Sequence, residues 1–139
     1  MKLGRLTPLL ALLIFTLVSC TGDPVGQTFP VKGKVTVGGK TLTTGSVAFW
    51  ADEAKGTKLA FTPASQIAED GSYDLFTNGK RGAPAGHYKV TIVAQAIPDS
   101  TAPEKTKSLV PDIYAKKETT TVLIEVVADG SKTYDLTAK

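Results

Sequence analysis

Few residues in this chain of 139 are suited to catalysis or metal binding. It contains one histidine, His87, and one cysteine, Cys20. A zinc site is normally built from several Cys or His ligands, so the composition does not support one. Serine and aspartate are plentiful, which leaves a Ser-His-Asp site open on composition, but no G-x-S-x-G nucleophile motif is present. The sequence therefore predicts a protein that is not an enzyme and that needs no metal or cofactor, with a hydrolase as the least favoured alternative.

The carboxylates lie mostly in short clusters at predicted turns, namely Asp52-Glu53, Glu69-Asp70 and Asp129. Aspartate at such positions commonly accepts hydrogen bonds from its own backbone, which is a structural role. The spacing of an EF-hand calcium loop is absent. Weak calcium binding at a loop stays open.

Trp50, the single tryptophan, has two interpretations. In the stretch GSVAFW, strand alternation places Val47 and Phe49 on one face and Trp50 on the other. Trp50 could be an exposed platform for a sugar, with Asp52 and Glu53 as hydrogen-bonding partners. The favoured interpretation is that Trp50 covers the outer sheet face or the edge of the core, since tryptophan is highly buried on average. Phe76 has the same outward parity, and grouped apolar side chains would indicate a partner surface.

Short strands and turns account for most of the chain. VKGKVTV and GHYKVTIVAQAI alternate apolar and polar residues, which is typical of half-buried strands. Gly38-Gly39, Asp70-Gly71 and Asp129-Gly130 are hairpin-type turn signals. About seven strands with regular turns predict an all-β, antiparallel sandwich of the Ig-like or transthyretin-like kind over residues 29–139.

One long connection, residues 97–119, interrupts this pattern. Connections of this length are usually functional or disordered. We expect its first half to be mobile and Val110, Ile113 and Tyr114 to pin its second half onto the sandwich. Tyr114 is predicted to close one end of the domain, and it joins Trp50, Asp52 and Glu53 in a candidate binding surface.

The first twenty residues have the pattern of a secretory signal. Lys2 and Arg5 precede the apolar stretch Leu9 to Val18, which is too short for a typical membrane-spanning helix. Leu17-Val18-Ser19-Cys20 resembles a bacterial lipobox. That resemblance implies removal of residues 1–19, lipidation of Cys20, including palmitate-type acylation, and a place in the cell envelope facing the periplasm or the exterior. Cleavage near Ser19 without lipidation is the alternative, and it would leave an odd free thiol.

Residues 20–28 are rich in Gly and Pro and are predicted to form a flexible tether between the lipid and the domain. Removal of the signal lowers the basic residues from 16 to 14 against 13 acidic ones, a net charge of about +1. No basic stripe is present, so nucleic-acid binding is not predicted.

Five motifs occur in an order that resembles a known family. They are VKGKVTVGGKTLTTGSVAF, AEDGSYDL, GAPAGHYKVTI, VPDIYAKKETTTVLIEVVADG and TYDL. Together they resemble the carboxypeptidase-regulatory-like, transthyretin-like sandwich domains of bacterial envelope lipoproteins, over residues 29–137. The resemblance implies an accessory, structural or binding domain without catalysis. We therefore expect a lipid-anchored module that binds an envelope protein or glycan, with a purely structural spacer as the alternative.

Overall fold

The computed structural model describes residues 22–96, 106–129 and 132–139. Two sheets face each other across one core, which confirms the prediction of an all-β sandwich. The predicted signal segment 1–19, Cys20 and most of the first half of the 97–119 connection lie outside the described residues. Among the residues described, no helix has the length and apolar character needed to cross a membrane.

The described residues form ten strands, more than the seven or so that the sequence predicts. They are β1 (Lys32–Val37), β2 (Lys40–Thr41), β3 (Ser46–Ala51), β4 (Ala64–Gln66), β5 (Ser72–Asp74), β6 (Phe76–Thr77), β7 (Lys80–Arg81), β8 (Gly86–Val93), β9 (Leu123–Val126) and β10 (Leu136–Ala138).

The larger sheet has the order β7-β6-β4-β3-β8-β9, and its pairs are antiparallel. In the smaller sheet, β1 pairs with β2 and β5 on antiparallel ladders and with β10 on a parallel one. The sandwich is therefore not purely antiparallel, because its first and last strands run in the same direction.

Alternation along β3 and β8 builds the core, as the sequence predicts. Val47 and Phe49 on β3 face inward, and Tyr88, Val90 and Ile92 on β8 do the same. The rings of Phe49 and Tyr88 pack with their centroids 5.8 Å apart and their planes tilted by 54°. Tilted aromatic pairs of this kind stabilise a core beyond the area that they bury.

The predicted turns have mixed outcomes. Gly38 and Gly39 join β1 to β2 with φ of 55° and 79°, so the predicted hairpin is confirmed. Asp70-Gly71 does make a turn, but β4 and β5 on either side of it pair within different sheets, so the predicted hairpin is wrong. Residue 130 lies outside the described residues, which leaves the turn at Asp129-Gly130 a prediction.

The chain from β5 to β6 passes from the smaller sheet to the larger one without a turn. Tyr73, Leu75 and Thr77 all face inward along this stretch. This shared strand closes one side of the sandwich and explains why the segment after Asp70-Gly71 does not fold back on β4. The hairpin at this corner is instead β6–β7, which turns at Asn78-Gly79.

The second half of the long connection packs partly as predicted. Val110 and Tyr114 are buried, but Ile113 is 44% exposed, so the prediction for Ile113 is wrong. A 3-10 turn at Asp112–Tyr114 is responsible. Successive side chains in such a turn point about 120° apart, so neighbouring residues cannot both face the core.

Residues 22–28, within the predicted tether, contact β7 of the β6–β7 hairpin. The Lys80 ammonium pairs with Asp23 at 2.5 Å and also donates to the carbonyl of Gly26. The Thr28 hydroxyl donates to the carbonyl of Arg81 at 2.9 Å. The described part of this segment therefore lies against the domain rather than extending away from it.

Gly33 permits the close approach of β1 to the segment before β10, and this yields a first prediction. A Cβ at Gly33 would overlap the carbonyl oxygen of Tyr134, which is backbone and cannot move aside cheaply. We expect Gly33→Ala to lower the free energy of unfolding by about 1–3 kcal/mol, the usual range for overpacking. Urea unfolding measures the change, and Gly22→Ala, where a Cβ meets no atom within 4 Å, is the matched control. Equal stability of the two variants would contradict the packing described.

Candidate functional site

Trp50 lies on the outer face of the larger sheet and is half-buried. The β3–β8 register places it opposite Lys89, and it places Ala48 opposite Thr91. The indole Nε1–H donates to the Thr91 hydroxyl at 3.0 Å. Thr91 has the outward parity but is only 5% exposed. The hydrogen bond to Thr91 therefore holds the polar edge of Trp50 against the sheet. The half-buried ring covers part of the sheet, as one interpretation predicts, and leaves part of its surface exposed, as the other predicts.

The end of the long connection returns to Trp50. The Lys117 ammonium lies 5.4 Å from the centroid of the indole ring, which is a cation–π contact. Lys117 and its neighbour Glu118 both line a recess beside Trp50. The sequence marks the 97–119 connection as functional or disordered but does not point to these two residues, because nothing in their spacing links them to β3.

Asp52 and Glu53 follow Trp50 directly and differ in environment. Asp52 is 6% exposed, whereas Glu53 is exposed at the start of the 3-10 turn Glu53–Lys55. The Asp52 amide donates to the carbonyl of His87 at 2.9 Å. The Asp52 carbonyl accepts from the amides of Lys55 and Thr57, at 3.0 and 3.2 Å. The carboxylate thus projects from a backbone that is held at both its amide and its carbonyl.

Two recesses flank Trp50. One, of about 220 Å³, is lined by Trp50, Ala51, Glu53, Leu59, Thr62 and Lys117. The other, of about 260 Å³, is lined by Trp50, Ala51, Asp52, Glu53, Ala54, Lys89, Lys117 and Glu118. We name the set Trp50, Asp52, Glu53, Lys89, Lys117 and Glu118 the Trp50 site. It combines an aromatic surface with hydrogen-bond donors and acceptors, so three of the four residues predicted for a binding surface do lie together.

Tyr114, the fourth residue predicted for that surface, lies elsewhere. It is 8% exposed and belongs to the core cluster. Its hydroxyl oxygen accepts a hydrogen bond from the Lys139 amide at 3.1 Å. Tyr114 lines neither recess beside Trp50, since the 3-10 turn that exposes Ile113 directs Tyr114 inward.

A larger open groove, of about 690 Å³, follows β5 at the corner where the chain changes sheets. Residues from β1, β4 and β5 line it, with Phe76, 47% exposed, among them. Several of its polar groups already have partners. Arg81 donates to both carboxylate oxygens of Asp74, and the Ser72 hydroxyl donates to Asp70 at 2.5 Å. No sequence pattern predicts this groove, because it forms where strands distant in the chain meet.

Phe76 and Trp50 both lie on the outer face of the larger sheet, but the strand register does not make them neighbours. Phe76 pairs with Ala64, which pairs with Ala48 on the strand that carries Trp50. Strand β4 lies between β6, which carries Phe76, and β3, which carries Trp50. Two inter-strand spacings, about 10 Å, therefore separate β6 from β3. Phe76 and Trp50 therefore do not form one continuous apolar patch through direct cross-strand pairing.

His87 has the outward parity expected for it and lies opposite Glu125 in the β8–β9 ladder. Its amide donates to the Thr57 hydroxyl at 2.8 Å. Among residues 22–96, 106–129 and 132–139, no three or more His, Cys, Asp or Glu residues are grouped so that they could hold a metal ion. The hydrogen bonds described for His87 are made by its backbone amide and carbonyl.

The clear pKa shifts belong to structural groups. Burial raises the pKa of the Tyr73 and Tyr88 phenols, which stay neutral and donate to the carbonyls of Tyr134 and Pro84 at 2.5 and 2.6 Å. Hydrogen bonds from the Ser72 hydroxyl and amide lower the pKa of Asp70. These groups stabilise turns and the core, as expected for aspartate at a turn.

Comparisons with models of protein families, with curated proteins and with solved structures found no match to this chain.

The hydrogen bond between Trp50 and Thr91 yields a second prediction. Thr91→Val keeps the shape of the side chain but leaves the indole N–H without its acceptor, so we expect a loss of about 1 kcal/mol in the free energy of unfolding. Emission of the single tryptophan should also move to longer wavelength as the ring gains solvent. Chemical unfolding followed by fluorescence measures both effects. Thr137→Val, at an exposed position on β10, is the control, and an equal response of both variants would argue against the bond.

Proposed function

We propose that this chain is a lipid-anchored, extracytoplasmic β-sandwich that binds a cell-envelope glycan through the Trp50 site and has no enzymatic activity. The observation that carries the proposal is the half-exposed indole between two recesses that charged side chains line. A protein partner at the same surface is the other outcome that the test below can give.

A sugar fits the chemistry of the Trp50 site. Its ring has an apolar C–H face that can pack on the indole, and its hydroxyl groups can both donate and accept hydrogen bonds. Lys89 and Lys117 supply donors, and Glu53 and Glu118 supply acceptors. Ligand sites generally combine an aromatic surface with a few polar groups in this way.

The Trp50 site is favoured over the larger groove because of its unsatisfied polar chemistry. In the groove, Asp74 and Ser72 are occupied by contacts within the chain. At the Trp50 site, the Oδ1 atom of Asp52 is buried without a hydrogen-bond donor among the described residues. A buried polar atom without a partner is costly in the free protein, so a ligand that compensates the Asp52 carboxylate from the recess gains affinity.

The proposed location depends on the N-terminal sequence. The charged start, the short apolar stretch and Cys20 support a signal over residues 1–19 followed by a lipidated cysteine. The order of the five motifs supports membership of the carboxypeptidase-regulatory-like envelope domains. Leu59 lines both a recess beside Trp50 and a crevice shared with Pro24 and Val25, so the Trp50 site would lie near the anchored end.

A spacer without a ligand is the second candidate, and one observation favours it. The indole N–H is already bonded to Thr91, and Lys117 already lies over the ring. In that case Trp50 would serve only to cover the outer sheet face.

Removal of the indole separates these two candidates and is the third prediction. We expect the full chain, purified in mild detergent, to bind isolated cell-wall polysaccharide saturably. We expect Trp50→Ala to weaken this binding about thirtyfold, the equivalent of about 2 kcal/mol for a central aromatic contact. Quantitative pull-down with sugar analysis measures the loss, and solubilised envelope proteins are tested in parallel with mass spectrometry.

Phe76→Ala is the matched control, because it removes an exposed aromatic ring from the same sheet face at the groove. If Phe76→Ala weakens polysaccharide binding and Trp50→Ala does not, the binding site is the groove. Saturable capture of one envelope protein instead of polysaccharide would replace the glycan with a protein. Absence of any binding would leave the spacer.

Lipidation is tested separately, as the fourth prediction. In bacterial cells fed radiolabelled palmitate, we expect the chain to carry label and to sediment with membranes. Cys20→Ser should abolish the label and release the protein, because stable anchoring needs the acyl chains. Ser19→Ala keeps the cysteine and should behave as the wild type does. Membrane retention of the Cys20→Ser protein would show that another segment anchors it.

A further inference from the structure

Asp52 carries an unusual feature that the binding proposal leaves unexplained. Its Oδ1 is the one buried side-chain nitrogen or oxygen without a hydrogen-bond partner in the described parts of the chain. The residue itself is 6% exposed. Burial of a polar atom without a hydrogen-bond partner is unfavourable, so the position of Oδ1 calls for an explanation.

Local contacts of the chain do not use this carboxylate. An aspartate just before a helical turn commonly accepts a hydrogen bond from the free amides of that turn. Here the Asp52 side chain makes no such bond to the turn Glu53–Lys55. The His87 carbonyl accepts a hydrogen bond from the Asp52 amide, but His87 donates none to Oδ1. The hydrogen bonds described for Asp52 are thus made by its backbone amide and carbonyl, and Oδ1 has none.

The surroundings of Asp52 are suited to a cation. Three carboxylates line the recess, those of Asp52, Glu53 and Glu118, against the ammonium groups of Lys89 and Lys117. Neither lysine forms an ion pair with Asp52 in the described residues, where the ion pairs are Lys80–Asp23 and Arg81–Asp74. Three carboxylates against two ammonium groups leave the recess a net charge of −1, and the uncompensated charge is that of Asp52.

Trp50 supplies a second preference for a cation. An indole face attracts ammonium groups, and Lys117 already occupies such a position at 5.4 Å. Lys117 is exposed at the end of its segment, so its side chain can leave the ring at little cost. A ligand ammonium could then replace it on the ring and meet Asp52 in the same recess.

We propose that the recess beside Asp52 recognises the free amino group of an amino sugar, so that the glycan bound at the Trp50 site is one that carries unacetylated amines. This proposal rests on the proposed function and specifies its ligand. The carboxylate charge is shared by both oxygens, so an ammonium in the recess compensates it even when it meets the oxygen other than Oδ1. An N-acetyl group, which is neutral and larger, offers no such compensation.

The test compares two oligosaccharides that differ only at nitrogen. Calorimetry measures binding of a glucosamine tetramer with free amines, and of its fully N-acetylated form, to the full chain in mild detergent. We expect the free amine to bind at least tenfold more tightly. Asp52→Asn should reduce this ratio to about one, while Asp112→Asn, which changes an exposed aspartate at the first position of the other 3-10 turn, should leave it unchanged.

Thermal unfolding of Asp52→Asn is an independent readout. If the buried carboxylate lacks a partner in the free protein, removal of its charge should raise the midpoint of unfolding or leave it unchanged. A clear fall in the midpoint would mean that the charge is compensated within the fold, and the proposal would be overturned.

The remaining outcomes distinguish this inference from the function on which it rests. Equal affinity for both oligosaccharides, lost in Trp50→Ala, would overturn the amine specificity and keep glycan binding. Tighter binding of a tetralysine peptide than of the glucosamine tetramer would assign the site to a protein amine. No binding of either oligosaccharide or of cell-wall polysaccharide would overturn both proposals.

Discussion

The pairing of β3 with β8 is the constraint on which the rest of the molecule depends. Its six paired positions set which side chains face the core and which face outward. Phe49 and Tyr88 meet inside, while Trp50, Lys89 and Thr91 lie together outside. A slip of one residue in this register would exchange the two faces, so core and Trp50 site would be lost together.

That shared origin explains how the Trp50 site is held. The indole hydrogen bond to Thr91 and the amide hydrogen bond of Asp52 to His87 both reach β8. The carbonyl of Asp52 accepts hydrogen bonds from the turn that follows it. The charged residues Lys117 and Glu118 then arrive from the segment after Tyr114, whose burial fixes where that segment leaves the core. Rigid strands therefore carry the aromatic and the buried carboxylate, and an exposed segment carries the adjustable charges.

The sequence was most informative where structure is local. Alternation in β3 and β8 predicted their buried faces, and Gly38-Gly39 predicted a hairpin. The same reasoning failed at Asp70-Gly71, because a turn signal does not say which sheet the next strand joins. The parallel pairing of β10 with β1 is likewise non-local and has no local signature. The hairpin at Asn78-Gly79 had a signal in the sequence, but its strands of two residues are too short to show alternation.

The candidate site divides in the same way. Trp50, Asp52 and Glu53 could be predicted because they are neighbours in the chain and outward parity could be read from β3. Lys89 could have been added, since it has outward parity on β8, but only the register places it beside Trp50. The backbone of Asp52 is hydrogen-bonded to Lys55, Thr57 and His87, and no sequence pattern indicates that its Oδ1 lies beneath the surface without a donor.

The parallel pairing of the first and last strands has a mechanical consequence. Because β1 and β10 run in the same direction, the chain enters β1 at one end of the pair and leaves β10 at the other. A pulling force between the two ends of the domain would load the hydrogen bonds of this pair in shear, all at once, instead of opening them one after another as in a zipper. If the sandwich is held at its N-terminal end and pulled at its C-terminal end, the β1–β10 hydrogen bonds of the smaller sheet must therefore break together, which requires a higher force.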